Sequence, residues 1–416
     1  MSTTDCISET IQVCRACGSA SLASFLDLGV TPLADHLPTA EQLDDFEYRV
    51  PLEVVFCNDC ALVQITETVK PEILFCRNYP YFSSVSPALM EHFRSSAASL
   101  LEKRGLGPDS LVIEAASNDG YLLLHFVEAG VPVLGIDPAE GQAKAARERG
   151  VDTLCTFFGL ELARELAAEG KSADIFLANN VLAHVADLNG FVEGIAVLLA
   201  TDGVAVIECP HLLPLIEHCE FDTIYHQHLC YFSVIALDRL FRSHCLFLNE
   251  VERTTIHGGS LRLFVEKVER QGASVRDVIS QERKIGADRV EYFRDFSTRV
   301  EDLKVSLNQT IARIQAAGGR IVGYGAPAKG CTMMSYCGID ADHLEYLVDL
   351  SPAKQGRYMG GSHLRIKPPS NLLEDQPDYV LILPWNFSEE IMRQQSEYIA
   401  RGGKFIVPVP EVKIYP

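Results

Sequence analysis

Between Phe221 and Ser233 the chain reads FDTIYHQHLCYFS. Tyr225, His226 and His228 fall within four positions, Gln227 separates the histidines and Tyr231 follows closely. Imidazole has an ordinary pKa of about 6.5, and a phenol donates a hydrogen bond without ionising, so this is a dense group of proton-handling side chains. We read it as a catalytic segment in which one of the two histidines is structural. Packed histidines with satisfied partners are the competing explanation. Strand alternation puts His226 and His228 on one face with Gln227 opposite, whereas a loop frees all three.

A second set of residues points to metal. Cys14 and Cys17 form one C-x-x-C, Cys57 and Cys60 another. Each pair supplies two thiolates from one tight turn, and two such turns complete a tetrahedral four-cysteine zinc site. The alternative is two unrelated turns or redox pairs. The second pair directly follows the strand-like YRVPLEVVF and neither opens a thioredoxin-like helix, which favours structural zinc in a small β-rich module over residues 1–70. The remaining cysteines stand singly and read as small core residues.

The elements that must position these groups follow from length and pattern. A chain of 416 residues is expected to form two or three domains, and 47% hydrophobic with 22% charged residues is a soluble globular composition. With 36 basic against 56 acidic residues the formal net charge is −20, which repels nucleic acid and anionic membranes, and no Lys/Arg run offsets it. The N-terminus MSTTDCISET has neither the basic nor the apolar region of a secretory leader, and no apolar run approaches the ~18 residues of a membrane span. A cytoplasmic, membrane-free protein is expected, a monomer or small homo-oligomer. Residues 70–93 form a connector broken by Pro71, Pro80 and Pro87, in which Tyr79 and Tyr81 precede Ser83 and Ser84: the wall of a polar pocket, or a packed interdomain loop.

The region 71–270 alternates short apolar runs with helical patterns, the signature of βαβ units. Strands are expected at 111–117, 132–137, 174–180, 203–210 and 260–268, and ligands bind beyond the carboxyl ends of such strands. Glu114, Asp137, Asn179 and Asn180 fall there. The turn after the first strand reads Glu114-Ala115-Ala116-Ser117-Asn118-Asp119-Gly120, not the GxGxxG that cradles a pyrophosphate. An acidic strand end without a diphosphate loop suits a cationic, phosphate-free nucleoside, S-adenosylmethionine, over NAD, with Asp137 accepting from the ribose hydroxyls.

Residues 271–318 read as a bridging helix or helix pair, and 319–416 as a second α/β unit. There Gly323-Tyr324-Gly325-Ala326-Pro327-Ala328-Lys329 joins a strand to a helix, either a diphosphate site with Lys329 or a tight turn needing glycine for packing. Asp349, Lys354 and Arg357 follow the next strand, and Trp385 with Asn386 ends another, where an apolar core ring competes with a ligand contact.

In this order the paired C-x-x-C motifs, YPYFSS, E-x3-N-D-G, LANNVLAHV, IYHQHLCYFS, HGGSLR, GYGAPAKG, D-x-S-P-x-K-Q-G and PWN-x3-E-I resemble the S-adenosylmethionine-dependent sugar C-methyltransferases of deoxysugar biosynthesis, over nearly the whole chain. The resemblance implies an α/β protein: a small zinc-binding module, a Rossmann-like class I methyltransferase domain and a second Rossmann-like C-terminal domain. It implies methylation of a carbon, typically C-3', of a nucleotide-linked 4-keto sugar, with structural Zn2+. His228 and Tyr225 fall on the family's catalytic positions, with Tyr79 and His184 as hydrogen-bonding partners. Glu114, Ala116, Asn118, Gly120, Asp137, Asn179 and Asn180 would hold the methyl donor. Tyr81, His257, Gly258, Tyr324, Ala328, Lys329, Asp349, Lys354, Arg357, Trp385 and Asn386 would meet the substrate. Two positions depart. Ala116 stands where the family usually has glycine, which requires a negative φ; Gln227 stands where one branch has glutamate. An NAD-linked oxidoreductase lacks its GxGxxG here, and a non-catalytic zinc-dependent binding protein is the remaining alternative.

Overall fold

The computed structural model describes residues 7–76, 84, 87–254 and 259–416. Tyr79, Tyr81, His257 and Gly258 lie outside them. Three sheets carry the described residues' main architecture. The first is a four-stranded antiparallel sheet of Leu22–Pro32, Arg49–Cys57, Val63–Ile65 and, from far along the chain, Cys230–Tyr231. The last strand belongs to the histidine-rich segment, and it pairs Cys230 with Gln64 and Tyr231 with Val63.

The second sheet has seven strands, ordered Phe247–Thr254, Ser260–Glu266, Leu199–Pro210, Ala173–Asn179, Val112–Ala115, Val133–Ile136 and Thr153–Leu154. Its last five strands run parallel; Ser260–Glu266 is antiparallel to both neighbours. This is a Rossmann-like sheet, parallel through its last five strands with an antiparallel strand beside them. Strands covered on both faces have no polar side to show, which is why Val112–Ala115 is buried at every position and reads as a continuous apolar run with a single acid, Glu114.

The third sheet, in the C-terminal region, is ordered Ile366–Lys367, Leu347–Val348, Ile321–Tyr324, Tyr379–Ile382, Lys404–Val407 and Lys413–Tyr415, parallel except for its last strand. Between the second and third sheets the helical stretch is a pair, Ala273–Ile285 and Arg294–Ala316. Gly286 takes φ 83° and closes the first helix, a left-handed cap that suits glycine. The second helix buries Phe296, Val300, Leu303, Leu307, Ile311 and Ile314 at three- and four-residue spacing.

One hydrophobic cluster runs through all three sheets. Phe25 and Phe56 of the first sheet pack their rings 5.1 and 5.2 Å from that of Phe293, ahead of the long helix. Among the described residues no helix is long and apolar enough to cross a membrane.

Candidate active site

The segment Phe221–Ser233 is mostly loop. A single helical turn, Phe221–Thr223, is followed by tight turns and the two-residue strand, and the histidines consequently point apart. His228 lies in a turn closed by its own N–H to the Tyr225 carbonyl, 2.8 Å. Its Nδ1 lies 2.8 Å from the Thr223 carbonyl. A carbonyl only accepts, so Nδ1 carries the proton and Nε2 keeps the lone pair. The Tyr225 hydroxyl sits 3.0 Å from that Nε2, with the two ring centroids 4.1 Å apart.

His184 ends the turn Leu182–His184 after the strand Ala173–Asn179 and brings its ring within 4.8 Å of His228. Its Nδ1–H donates to the Gln227 carbonyl at 2.5 Å. Burial pushes its pKa down to about 4, so it is a neutral imidazole at physiological pH. His226 is turned the other way: its Nε2 donates to the Pro51 carbonyl at 2.9 Å, tying the loop to the first sheet, and burial lowers its pKa. Gln227 is buried and lies beside the carboxylate of Asp35, near which Lys354 also lies. Burial raises the Asp35 pKa, and both partners oppose that shift.

At the carboxyl ends of the seven-stranded sheet, Glu114 is fully buried and accepts from Asn179 Nδ2 at 3.3 Å, while its Oε2 has no described partner. Burial pushes its pKa up to about 8. Ser117 Oγ, Asp119 Oδ1 and Asn180 Oδ1 are likewise buried acceptors without a described partner. Asp137 accepts the amides of Asn118 and Ala139, each at 2.9 Å. Ala116, Asn118, Gly120 and Asn180 take φ of 56, 50, 75 and 53°. The expectation of a negative φ at Ala116 therefore fails: the chain needs a left-handed turn there and makes it without glycine. A cluster of under-used buried oxygens on a strained strand-end loop fits S-adenosylmethionine, whose ammonium and ribose hydroxyls are donors. Glu114, Asn118, Asp137, Asn179 and Asn180 are the residues that would hold it.

In the third sheet, packing accounts for the glycines of the GYGAP turn. A Cβ on Gly323 would come within 2.4 Å of Leu347 Cδ2, and one on Gly325, at φ 84°, within 2.5 Å of Pro384 Cδ. The Ala326 amide donates to Asp349 Oδ2 at 2.7 Å, and Lys354 Nζ donates to the Ala326 carbonyl at 2.8 Å. Arg357 reaches across to the Leu37 carbonyl of the N-terminal region, 3.0 Å. Tyr324 ends its strand and Ala328 opens the next helix. Lys329 does not face outward: it donates to Asn386 Oδ1, its Nζ lies 4.0 Å over the Trp385 ring, and the acids nearby are Asp222 and Glu220.

The four cysteines meet. Cys14 and Cys60 sulfurs lie 3.5 Å apart, as do Cys17 and Cys57, and all four sulfurs are within 4.8 Å of one another. Zn–S bonds of about 2.3 Å need sulfur–sulfur edges of about 3.8 Å, so the cluster fits one tetrahedral zinc.

Sequence reasoning missed three groups. Asp35 sits in no helix or strand, and only the fold brings it to Gln227. Asp222, inside the segment Phe221–Ser233, is fully buried, which a lone acid beside a phenylalanine does not signal in sequence. Glu208 is 1% exposed at the end of Leu199–Pro210 and accepts from His92 at 2.8 Å and Arg262 at 2.6 Å, one strand away from Asn179. An acid inside the apolar run GVAVIECP was the available signal.

Three family models match in chain order: a zinc binding domain (residues 14–75), a methyltransferase domain (89–244) and a C-methyltransferase C-terminal domain (255–410). The chain is 33% identical over 411 residues to the C-methyltransferase NovU of Streptomyces niveus, covering 98% of each chain. A ubiquinone biosynthesis O-methyltransferase of Azorhizobium caulinodans is 27% identical over 124 residues, 30% of this chain and 47% of that protein. Among solved structures, magnesium protoporphyrin IX methyltransferase of Synechocystis with bound S-adenosylhomocysteine is 16% identical, spanning 44% of this chain and 88% of that one, at a TM-score of 0.35.

Proposed function

The chain belongs to the S-adenosylmethionine-dependent C-methyltransferase family of NovU, and on that premise we propose that it methylates a ring carbon, C-3', of a nucleotide-linked 4-keto deoxysugar, with His228 as the base. The observation that carries this reading is the pairing of His228 Nδ1 with the Thr223 carbonyl, which leaves a basic Nε2 beside the Tyr225 hydroxyl.

Carbon is a poor nucleophile until a neighbouring ketone lets it lose a proton. His228 Nε2 takes the proton from the carbon beside the ketone, the C–H pair moves into the ring and the ketone oxygen gains the charge. The imidazolium so formed keeps its Nδ1–H on Thr223. The Tyr225 phenol, released from Nε2, is placed to donate to the enolate oxygen, a stabilisation effective in a water-poor site. Neutral His184 shapes the wall beside His228 and adds no competing positive charge. Bound S-adenosylmethionine supplies an electrophilic methyl group to such a carbon; Glu114 and Asp137 supply the acceptors that would orient it. Tyr79, Tyr81, His257 and Gly258 are assigned to the substrate side of the site by resemblance. The nucleotide is assigned to the strand ends of the third sheet, along Tyr324, Ala328, Asp349, Lys354 and Arg357. Gln227 links the loop to Asp35.

The test is incubation with a methyl-labelled donor and a panel of nucleotide-linked 4-keto sugars. Label on a ring carbon supports the reading. Label confined to oxygen or nitrogen, or reduction of a nicotinamide without methyl transfer, overturns it.

A further inference from the structure

Asp222 is the middle residue of the turn Phe221–Thr223, with no solvent exposure. The Trp385 indole N–H donates to its Oδ2 at 2.7 Å. Its Oδ1 is buried without a hydrogen-bond partner among the described residues. The Lys329 ammonium sits over that same indole ring, bonded to Asn386. Two residues beyond Asp222, the Ile224 carbonyl accepts from Thr332 Oγ1 at 2.9 Å. The Phe221 ring also packs 5.4 Å from that of Tyr336. Trp385 and Asn386 come from one strand-end turn of the C-terminal sheet, and Lys329, Thr332 and Tyr336 from its helix Ala328–Cys337. The C-terminal region thus grips the catalytic loop immediately before and immediately after Thr223, whose carbonyl holds His228 Nδ1.

A buried carboxylate costs stability relative to apolar packing, and one with an unused oxygen costs more. Such a group is a poor choice if its only task is to glue two domains together. We infer that Asp222 is a positioning residue: the grip of Trp385 on its carboxylate fixes the Thr223 carbonyl, and through it the tautomer and aim of His228. Trp385, Lys329 and Asn386 then act on the loop and not on a nucleotide. The inference rests on the reading of His228 as the base only for its kinetic consequence; the effect on the imidazole stands without it.

The test uses the full-length zinc-loaded chain with Trp385→Phe, Thr332→Val, Asp222→Ala and Asp222→Asn. Nitrogen-15 imidazole shifts of ligand-free protein report the His228 tautomer, and steady-state kinetics report kcat and KM. The parent is expected to show His228 protonated at Nδ1. Trp385→Phe and Asp222→Ala are expected to mix the tautomers and lower kcat by about tenfold or more, since small misplacements of a reacting group are costly, while KM for both substrates stays within about threefold. Asp222→Asn keeps an acceptor for the indole and is expected to recover the tautomer and most of kcat. If Trp385→Phe does not fold, Thr332→Val loosens the same stretch from the other side and is read the same way. An unchanged tautomer with unchanged kcat overturns the inference, as does an unchanged tautomer with KM for the nucleotide sugar raised, which would make Trp385 a ligand contact. If the parent transfers no methyl group yet the tautomer responds to Trp385→Phe, the proposed function fails and the positioning role survives.

Discussion

Ala116 holds a left-handed φ of 56°, a conformation that costs an L-residue about 1–2 kcal/mol. Ala116→Gly is therefore expected to stabilise the chain by about 1 kcal/mol in chemical denaturation, and an unchanged or lowered midpoint would show that the loop is not strained there. Glu114 offers a pH test. Burial raises its folded pKa to about 8 from an ordinary 4.5, so the folded state binds the proton more tightly. Its contribution is fully present below about pH 4.5 and is lost as pH rises through 8. Glu114→Gln, which cannot ionise and keeps an acceptor for Asn179, is expected to lose that downward slope and to exceed the parent in melting temperature at pH 9. At Gln227, the glutamate of the related branch sets a carboxylate beside that of Asp35. Gln227→Glu is expected to lose stability and activity at neutral pH, and Asp35→Asn in the same chain to restore both. That contact was illegible in the sequence because Asp35 and Gln227 lie in different domains and neither sits in a periodic element. Glu114 and Asp137, by contrast, stand out as lone charges at the ends of apolar runs.

Elements were legible where burial writes a long pattern and illegible where pairing is short and distant. The parallel strands were readable as continuous apolar runs, and the helix pair by its spacing. No periodicity can reveal Cys230–Tyr231, two residues that join the first sheet through Val63 and Gln64. The consequence is that zinc holds more than its own module. His226 bonds to Pro51, Leu229 O accepts from Ile65 N, and Arg15, next to Cys14, donates to the carbonyls of Ile65 and Glu67. Stripping zinc with a strong chelator, or Cys57→Ser, is expected to lower the melting temperature and to abolish methyl transfer together, with readdition of zinc restoring both to the chelated parent. Metal analysis should give one zinc per chain. Full activity in zinc-free protein would separate the two.

At the scale of the molecule, the loop carrying His228 is where three bodies meet. The first sheet holds it through His226 and the Cys230–Tyr231 strand, and the methyltransferase sheet through His184 and the Ala183 carbonyl, which accepts from Leu229 N. The C-terminal region holds it through Trp385 and Thr332. Sequence motifs named the three bodies but not their convergence, because each grip uses one backbone carbonyl or one buried side chain. We propose that this convergence makes His228 Nε2 a base towards a carbon acid. It is tested most directly by proton exchange in deuterated water. Parent protein with a nucleotide-linked 4-keto sugar and S-adenosylhomocysteine, which cannot transfer methyl, is expected to wash out the proton α to the ketone, and His228→Asn to slow this by about 10²-fold or more. Washout at the parental rate in a folded His228→Asn variant that still binds both ligands would contradict it.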